Sequence, residues 1–273
     1  MAESQARRAA LEDALISLGD VAVAVSGGVD STTLAVLAHR RLGSRARMIH
    51  AVSPAVPPDG TARVRALAAA EGWRLDVIDA GEFADPRYRA NPSDRCFYCK
   101  TNLYGAIAAR TRATIVSGTN RDDLDDWRPG LKAAAEHGVR HPYVEAGIDK
   151  AGVRDLAREL RLGDVAELPA SPCLSSRVET GLMIDPVELG LINEIETLVG
   201  AAVTTRTVRC RMRRDGLVIE LDGAALAGLT PDARAALAVE ITRRARAAGR
   251  DRPVSFAAYR MGSAFLRPAA SHG

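Results

Sequence analysis

The sequence predicts an α/β protein: a doubly wound parallel sheet followed by a small α+β domain. Three observations carry this. Short apolar runs alternate with helical patterns through residues 1–160, as successive βαβ units require. One run, Val21 to Val25, ends in the glycine-rich turn Ser26-Gly27-Gly28-Val29-Asp30-Ser31 and feeds directly into a helix. Beyond residue 180 the pattern changes to a hairpin flanked by helices. Residues 1–180 are therefore read as the first domain and 181–266 as a second domain for substrate binding or oligomerisation. Residues 267–273 are read as a frayed tail.

Each element has its own warrant. Residues 3–18 carry Ala9, Leu11, Leu15 and Leu18 near helical spacing, which predicts an amphipathic helix. Strands are expected at 21–25, 47–52, 74–79 and 113–117. Helices are expected between them at 31–42, 60–71, 97–110 and 149–160. Residues 163–182, with Gly163, Pro169, Pro172 and Gly181, read as loop. A helix at 186–199 precedes a hairpin of strands 203–212 and 217–221, turned by Arg213-Arg214-Asp215-Gly216. A helix at 231–248 and an extended run at 253–258 complete the second domain.

Composition bounds the function. The chain has 273 residues, 47% of them hydrophobic, enough for a large core without disulfides. A net charge of +3 does not argue for nucleic acid. Lysine occurs only at Lys100, Lys132 and Lys150; arginine supplies the remaining basic side chains. The first residues lack an apolar signal core, and no run approaches the ~20 apolar residues of a membrane span. A cytoplasmic protein with no membrane and no nucleic-acid partner is expected, and a homo-oligomer.

The turn at 26–31 is an anion site by construction. Glycines let backbone N–H groups approach phosphate oxygens, and the dipole of the following helix favours negative charge. A Walker loop would place Gly-Lys-Ser/Thr here to hold the outer phosphates. No lysine follows, and Ser26 and Ser31 flank the turn instead. The turn resembles the PP-loop of ATP pyrophosphatases. The alternative is a plain strand-to-helix turn. Ligands of wound sheets bind at the carboxyl ends of strands, and Ser117-Gly118-Thr119-Asn120 occupies a second such end.

The cysteines raise a second chemistry. Cys96 and Cys99 open a helix and, three residues apart, share one face. Cys173 stands far along the chain, and Cys210 lies between two arginines on an expected strand. The pair alone is a weak signal: it could be two half-buried thiols, and a redox pair would want the thioredoxin motif's place after the first strand of its fold, which is missing. A zinc site would need a fourth ligand, and His39, His50, His137 and His141 supply no obvious one. Three cysteines suit a four-iron cluster with one iron open.

Longer motifs narrow the reading. Asn91-Pro92-Ser93-Asp94-Arg95-Cys96-Phe97-Tyr98-Cys99-Lys100, Arg128-Pro129-Gly130-Leu131, Val144-Glu145-Ala146-Gly147, Pro172-Cys173-Leu174-Ser175-Ser176-Arg177 and Tyr259-Arg260-Met261-Gly262-Ser263 occur in one order with the two loops above. Over residues 5–265 the chain resembles the LarE family, ATP-dependent sulfur transferases of nickel-pincer nucleotide synthesis within the PP-loop ATP pyrophosphatase superfamily. The resemblance implies adenylation of the carboxylates of a pyridinium-3,5-biscarboxylic acid mononucleotide, with ATP and Mg²⁺, and their conversion to thiocarboxylates. It also implies two sulfur sources. Some members give up the sulfur of one cysteine, at the position of Cys173. Others hold a [4Fe-4S] cluster on cysteines at the positions of Cys96, Cys99 and Cys173. With all three present, this chain resembles the cluster type.

The site residues follow. Ser26, Gly27, Gly28, Val29, Asp30 and Ser31, with Gly118 and Thr119, are expected to hold the nucleotide. Asp30 would serve Mg²⁺, its alternative being a helix cap. The acidic run Asp122, Asp123, Asp125 and Asp126 is expected to give one or two groups to metal or nucleotide and otherwise to be solvated. Arg209 and Arg211 share a strand face and suit a phosphate clamp for the mononucleotide. Cys173, Ser176, Arg177 and Glu196 are expected at the sulfur-transfer step. Cys210 faces away and reads as core, as does Trp73. Phe97 and Tyr98 are expected to wall the cysteines or pack in the core, and Trp127 to pack or to border the nucleotide.

Three rivals compete. A tRNA thiolase pairs a PP-loop with three cysteines but would add an RNA-binding appendage. A GMP or NAD synthetase uses ammonia and has no use for the cysteines. A nucleotide-binding stress sensor would keep the loop alone.

Overall fold

The computed structural model describes residues 2–125 and 128–266. In chain order its first elements are α1 (Ala2–Ser17), β1 (Val21–Ala24), α2 (Val29–Leu42), β2 (Ala46–Ala51), α3 (Pro58–Glu71), β3 (Arg74–Ile78), α4 (Pro86–Arg89), α5 (Arg95–Ala108) and β4 (Thr114–Val116). Then come α6 (Pro129–Glu136), α7 (Pro142–Glu145), α8 (Lys150–Glu159), α9 (Pro186–Ala202), β5 (Val208–Arg213), β6 (Gly216–Leu221), α10 (Gly223–Gly228), α11 (Pro231–Ala247) and β7 (Val254–Ala258). The chain divides into two compact units, residues 1–85 with 96–171 and residues 86–95 with 172–273. Among the described residues, no helix is long and apolar enough to cross a membrane.

The first unit holds a four-stranded sheet in the order β3-β2-β1-β4, with every pairing parallel. Alternation along each strand feeds two cores. Val21 and Val23 point into one with Leu11 and Leu15 of α1, Leu34 and Leu37 of α2, and Val153 and Leu156 of α8. Ala22, Ile49 and Ile115 point into the other with Tyr104 and Ile107 of α5. Trp73 joins the first core, as expected. The doubly wound sheet read from the sequence is thus present. Its winding reverses beside β1: the chain runs outward to β2 and β3, then returns to pair β4 on the other side. A ligand crevice forms where such a reversal opens at the strand ends, and the turns after β1 and β4 both lie there.

The second unit contains a three-stranded sheet, β5-β6-β7, antiparallel between β5 and β6 and parallel between β6 and β7. α9 packs on β5, and α11 packs on α9 and β7. The hairpin is tighter than the sequence suggests. Arg213 pairs with Gly216, leaving Arg214 and Asp215 as the turn, and residues 203–207 stay outside the strand because Thr205 and the Arg206 amide bind Asp222.

The expected boundary at residue 180 differs from this division. Residues 172–180 go with the second unit because Val178 bridges Met212 and the Glu179 amide donates to the Met212 carbonyl at 2.9 Å. Residues 86–95 go there too. The Asn91 and Arg89 carbonyls accept from Gly181 and Ile184 at 2.8 Å, and the Asn91 side chain donates to the Glu179 carbonyl at 2.9 Å. Periodicity carries no signal for such pairing. It also passes over α4, α6, α7 and α10, which are short. Asp126, Trp127 and the 267–273 tail lie outside the described residues.

Gly216 closes the second sheet at φ +151°, where an added Cβ would stand 2.4 Å from the Pro253 carbonyl oxygen. That oxygen also accepts from the Leu217 amide at 2.8 Å. Gly216→Ala is expected to destabilise the protein by about 1–3 kcal/mol in denaturant titration; an unchanged midpoint would refute the close approach.

Candidate functional site

The turn after β1 is braced from inside by its two hydroxyls. Ser26 and Ser31 hydroxyls lie 3.0 Å apart, and the Ser26 amide donates to Ser31 Oγ at 3.0 Å. Gly27 takes φ +83°. Gly28 is the residue before α2 and has no side-chain cap, so the first-turn N–H groups face the crevice uncapped. From the second loop, Gly118 presses on this turn: a Cβ there would meet Ser31 N at 2.7 Å and the Asp30 carbonyl carbon at 2.8 Å. Ser26, Gly27, Gly28, Val29, Asp30, Ser31 and Gly118 thus form one constellation. Thr119 turns aside, its hydroxyl 3.0 Å from Ser117 Oγ, which lies 2.9 Å from Nδ1 of His141. Burial lowers the His141 pKa, against the pull of Glu145 and Asp123.

Asp30 has partners that motif reading did not supply. Its carboxylate accepts from Lys150 Nζ at 2.5 Å and from Asn120 Nδ2 at 3.1 Å, and its carbonyl accepts from the buried Tyr143 hydroxyl at 3.1 Å. Lys150 is the first residue of α8, delivered by Asp149, whose carboxylate caps the Gly152 amide at 2.8 Å. A signal was present in the composition: this is one of three lysines in an arginine-rich chain. A flexible ammonium can trade one anion for another, where a guanidinium fork tends to stay. The acidic run is more committed than expected. Asp122 accepts from the Lys150 amide at 3.2 Å, and Asp123 caps the Asn120 amide at 3.1 Å and pairs with Arg128 at 2.8 Å.

Cys96 and Cys99 lie half-buried on the first turn of α5. The α6 start packs on that turn: a Cβ on Gly130 would stand 3.0 Å from Lys100 Cγ and 3.7 Å from the Cys96 carbonyl oxygen. Phe97 and Tyr98 meet edge to face at 5.4 Å, and Lys132 sits 5.3 Å over the Phe97 ring.

The second unit carries the other sequence-derived residues. Cys173 is exposed and opens the short turn Leu174–Arg177. Arg177, 3% exposed, organises that turn. Its Nη1 donates to the Pro172 carbonyl at 2.7 Å and to the Cys173 carbonyl at 3.2 Å. Its Nε and Nη2 donate to the two carboxylate oxygens of Glu196, each at 2.9 Å. Glu196 also accepts from the Cys210 amide at 2.9 Å. Arg177 and Glu196 are thereby engaged with the loop that carries Cys173.

Arg211 is engaged in the same way and is 4% exposed. Its Nε donates to Glu220 at 2.9 Å, and its Nη1 donates to the Ser176 carbonyl at 3.2 Å. Arg209, on the same strand face, has its pKa lowered by burial, by Arg177 and by Arg211. Cys210 points to the opposite side, fully buried, and burial pushes its thiol pKa up, as a core cysteine's would be.

The three thiols Cys96, Cys99 and Cys173 are of the kind an iron–sulfur cluster takes, and none is in a disulfide. Among the described residues, no group of three or more His, Cys, Asp or Glu side chains is placed to hold a metal ion.

No family model matches the sequence. The chain is 31% identical over 229 residues, 82% of each protein, to pyridinium-3,5-bisthiocarboxylic acid mononucleotide synthase of Lactiplantibacillus plantarum. It is 39% identical over 178 residues to an uncharacterized protein of Synechocystis sp., covering 64% of this chain and 66% of that one. It is 29% identical to a subunit of the glutamine-hydrolyzing GMP synthase of Methanopyrus kandleri, over 66% of this chain and 63% of that one.

The Arg177–Glu196 pair yields a stability test. Glu196→Ala strands a buried guanidinium and the Cys210 amide, and is expected to cost about 3–5 kcal/mol in denaturant unfolding. The double replacement Arg177→Met with Glu196→Leu should recover most of that. A loss of less than ~1 kcal/mol for Glu196→Ala would show that the pair does not hold the Cys173 turn.

Proposed function

This chain belongs to the LarE family, and on that premise we propose that it is an ATP-dependent sulfur transferase that converts carboxylates of pyridinium-3,5-biscarboxylic acid mononucleotide to thiocarboxylates for nickel-pincer cofactor synthesis. The observation that carries the ATP half is the uncapped turn at the sheet reversal, closed by Gly118 against Ser31. A carboxylate resists sulfur because its leaving group would be oxide. In the proposed first step a carboxylate oxygen attacks the α-phosphorus of ATP, and pyrophosphate leaves. In the second, sulfur attacks the acyl carbon and AMP leaves with the carboxylate oxygen.

The residues divide this work. The α2 amides, with Ser26 and Ser31, hold the departing pyrophosphate. Asp30 and Lys150 form a charge pair that parts when the polyphosphate arrives with Mg²⁺. The ammonium can turn to phosphate, and the Asp30 carboxylate would then hold the cation, which would balance the polyphosphate charge. Gly27, Gly28, Val29 and Gly118 keep the turn open to phosphate oxygens, while Thr119, tied to Ser117, braces the second loop. Arg209, crowded by two guanidiniums, is the natural partner for the mononucleotide phosphate, with Arg211 adding charge from beneath. Arg177 and Glu196 hold the Cys173 turn, and Ser176 offers its hydroxyl beside it.

We assign sulfur delivery to Cys173 with Cys96 and Cys99. A [4Fe-4S] cluster on these three would supply the sulfur in place of a protein thiol. A second reading, in which Cys173 gives up its own sulfur, is favoured by one observation: this thiol is exposed.

With ATP and the mononucleotide, the expected products are AMP and pyrophosphate, one of each per carboxylate activated; ADP would overturn the assignment. Asp30→Ala should abolish turnover while leaving the unfolding midpoint near that of the wild type. The sulfur source is tested by anaerobic iron counting and intact mass. About four irons per chain, lost together with activity on serine replacement at 96, 99 or 173 but kept in Cys210→Ser, supports the cluster. An iron-free active chain that loses about one H₂S in mass at Cys173 supports sacrifice.

A further inference from the structure

We propose that the start of α3 positions the phosphate loop: Gly60 and Arg63 touch it directly, and Thr61 acts through His50, which reaches the last peptide before it. This rests on the reading of that loop as an ATP site. Three separate contacts lead to it.

The first is between backbones. A Cβ on Gly27 would stand 2.5 Å from the Gly60 carbonyl oxygen, and a Cβ on Gly60 would stand 3.3 Å from the Ser26 carbonyl oxygen. Two glycines therefore let the loop and the helix start touch directly. The second is ionic in part: Arg63 Nη1 donates to the Gly27 carbonyl at 2.7 Å. That carbonyl belongs to the residue at φ +83°, so the guanidinium fixes the one peptide whose orientation most shapes the turn.

The third passes through a fully buried imidazole. His50 Nδ1 lies 2.8 Å from the Val25 carbonyl, one residue before the loop, and Nε2 lies 2.9 Å from Thr61 Oγ1. A carbonyl can only accept, so Nδ1 carries the proton. In the neutral ring Nε2 then accepts from the Thr61 hydroxyl. Burial, which lowers the His50 pKa against the Val25 bond, agrees with that neutral form. The helix start is itself rigid, because Pro58 is its first residue and the Gly60 amide returns to the Pro57 carbonyl at 3.0 Å.

None of these groups needs to touch ATP. Their effect is to keep the amide fan at the α2 start in one shape before the nucleotide arrives, so that binding does not have to order it. Loss of the clamp should therefore appear in ATP affinity and not in affinity for the mononucleotide.

The test is nucleotide titration by calorimetry on the full chain, with kinetics for each substrate. Thr61→Val keeps shape and removes the hydroxyl; Thr61→Ser restores it. Thr61→Val and Arg63→Met are each expected to weaken ATP binding about tenfold, the size of one lost hydrogen bond. Thr61→Ser should stay within about threefold of the wild type. The KM for ATP should rise in the two weakened variants while the KM for the mononucleotide holds. If Thr61→Val fails to fold, Arg63→Met at the loop surface still decides. Wild-type ATP affinity in folded Arg63→Met overturns the proposal alone, as does equal loss in Thr61→Val and Thr61→Ser. A wild-type chain that binds no ATP overturns the nucleotide reading and this one with it.

Discussion

The first unit depends on backbone contact at the sheet reversal. The turn at 26–31 is gripped from one side by Gly60 and from the other by Gly118: a methyl group on Gly27 would collide with the Gly60 carbonyl, and one on Gly118 with the Ser31 amide. Such contact fixes a loop without filling its mouth with side chains. Amide N–H groups stay available to an anion, and little order remains to be created when it binds. The winding of the sheet makes this possible. β1 has β2 on one flank and β4 on the other, so the loops leaving β1 and β4 emerge side by side. The crossover helix α3 begins on the far side of the same loop.

Charge is handled in two ways. In the second unit, Arg177 and Arg211 sit almost without solvent and are forked to Glu196 and Glu220. Pairs buried to this degree are costly to break, because the remaining ion has no water. They serve as fixed struts: one under the Cys173 turn, the other under the Ser176 carbonyl. Lys150 and Asp30 differ. Both keep a quarter or more of their side-chain surface in solvent, 35% and 27%. The pair can part at modest cost. In the proposed function, a fixed strut suits presentation of the Cys173 thiol, and an exchangeable pair suits a site where a charged substrate would come and go.

What can be read from the sequence follows the same physics. The sheet is legible because buried parallel strands are short apolar runs between amphipathic helices. The loop at 26–31 is legible because glycine and hydroxyl residues have few other reasons to stand between strand and helix. Long-range contacts leave no such trace. Nothing local announces that Asn91 will tie to Glu179, so the second unit's claim on 86–95 is invisible. The Arg209–Arg211 alternation marks one strand face, but it says nothing of Glu220 across the hairpin. Arg209 pairs in register with Glu220, and Arg211 reaches it diagonally. Lys150 is hidden because its partner lies 120 residues away.

The arginine pairs bear on how the mononucleotide would be held. Three guanidiniums, 177, 209 and 211, gather where two carboxylates, 196 and 220, already neutralise two of them. Arg209 lies among them, its pKa lowered by burial and by its cationic neighbours against the pull of Glu196. In the proposed function, a dianionic phosphate would meet the field of Arg177, Arg209 and Arg211, partly offset by Glu196 and Glu220. It need not break either buried pair. On the proposed function, that arrangement would let a substrate phosphate bind without disturbing the Cys173 turn, which Arg177 and Glu196 hold. Separating the two tasks would matter for the proposed transfer of one sulfur to one carboxylate, because binding the phosphate would then leave the thiol where the fold has put it.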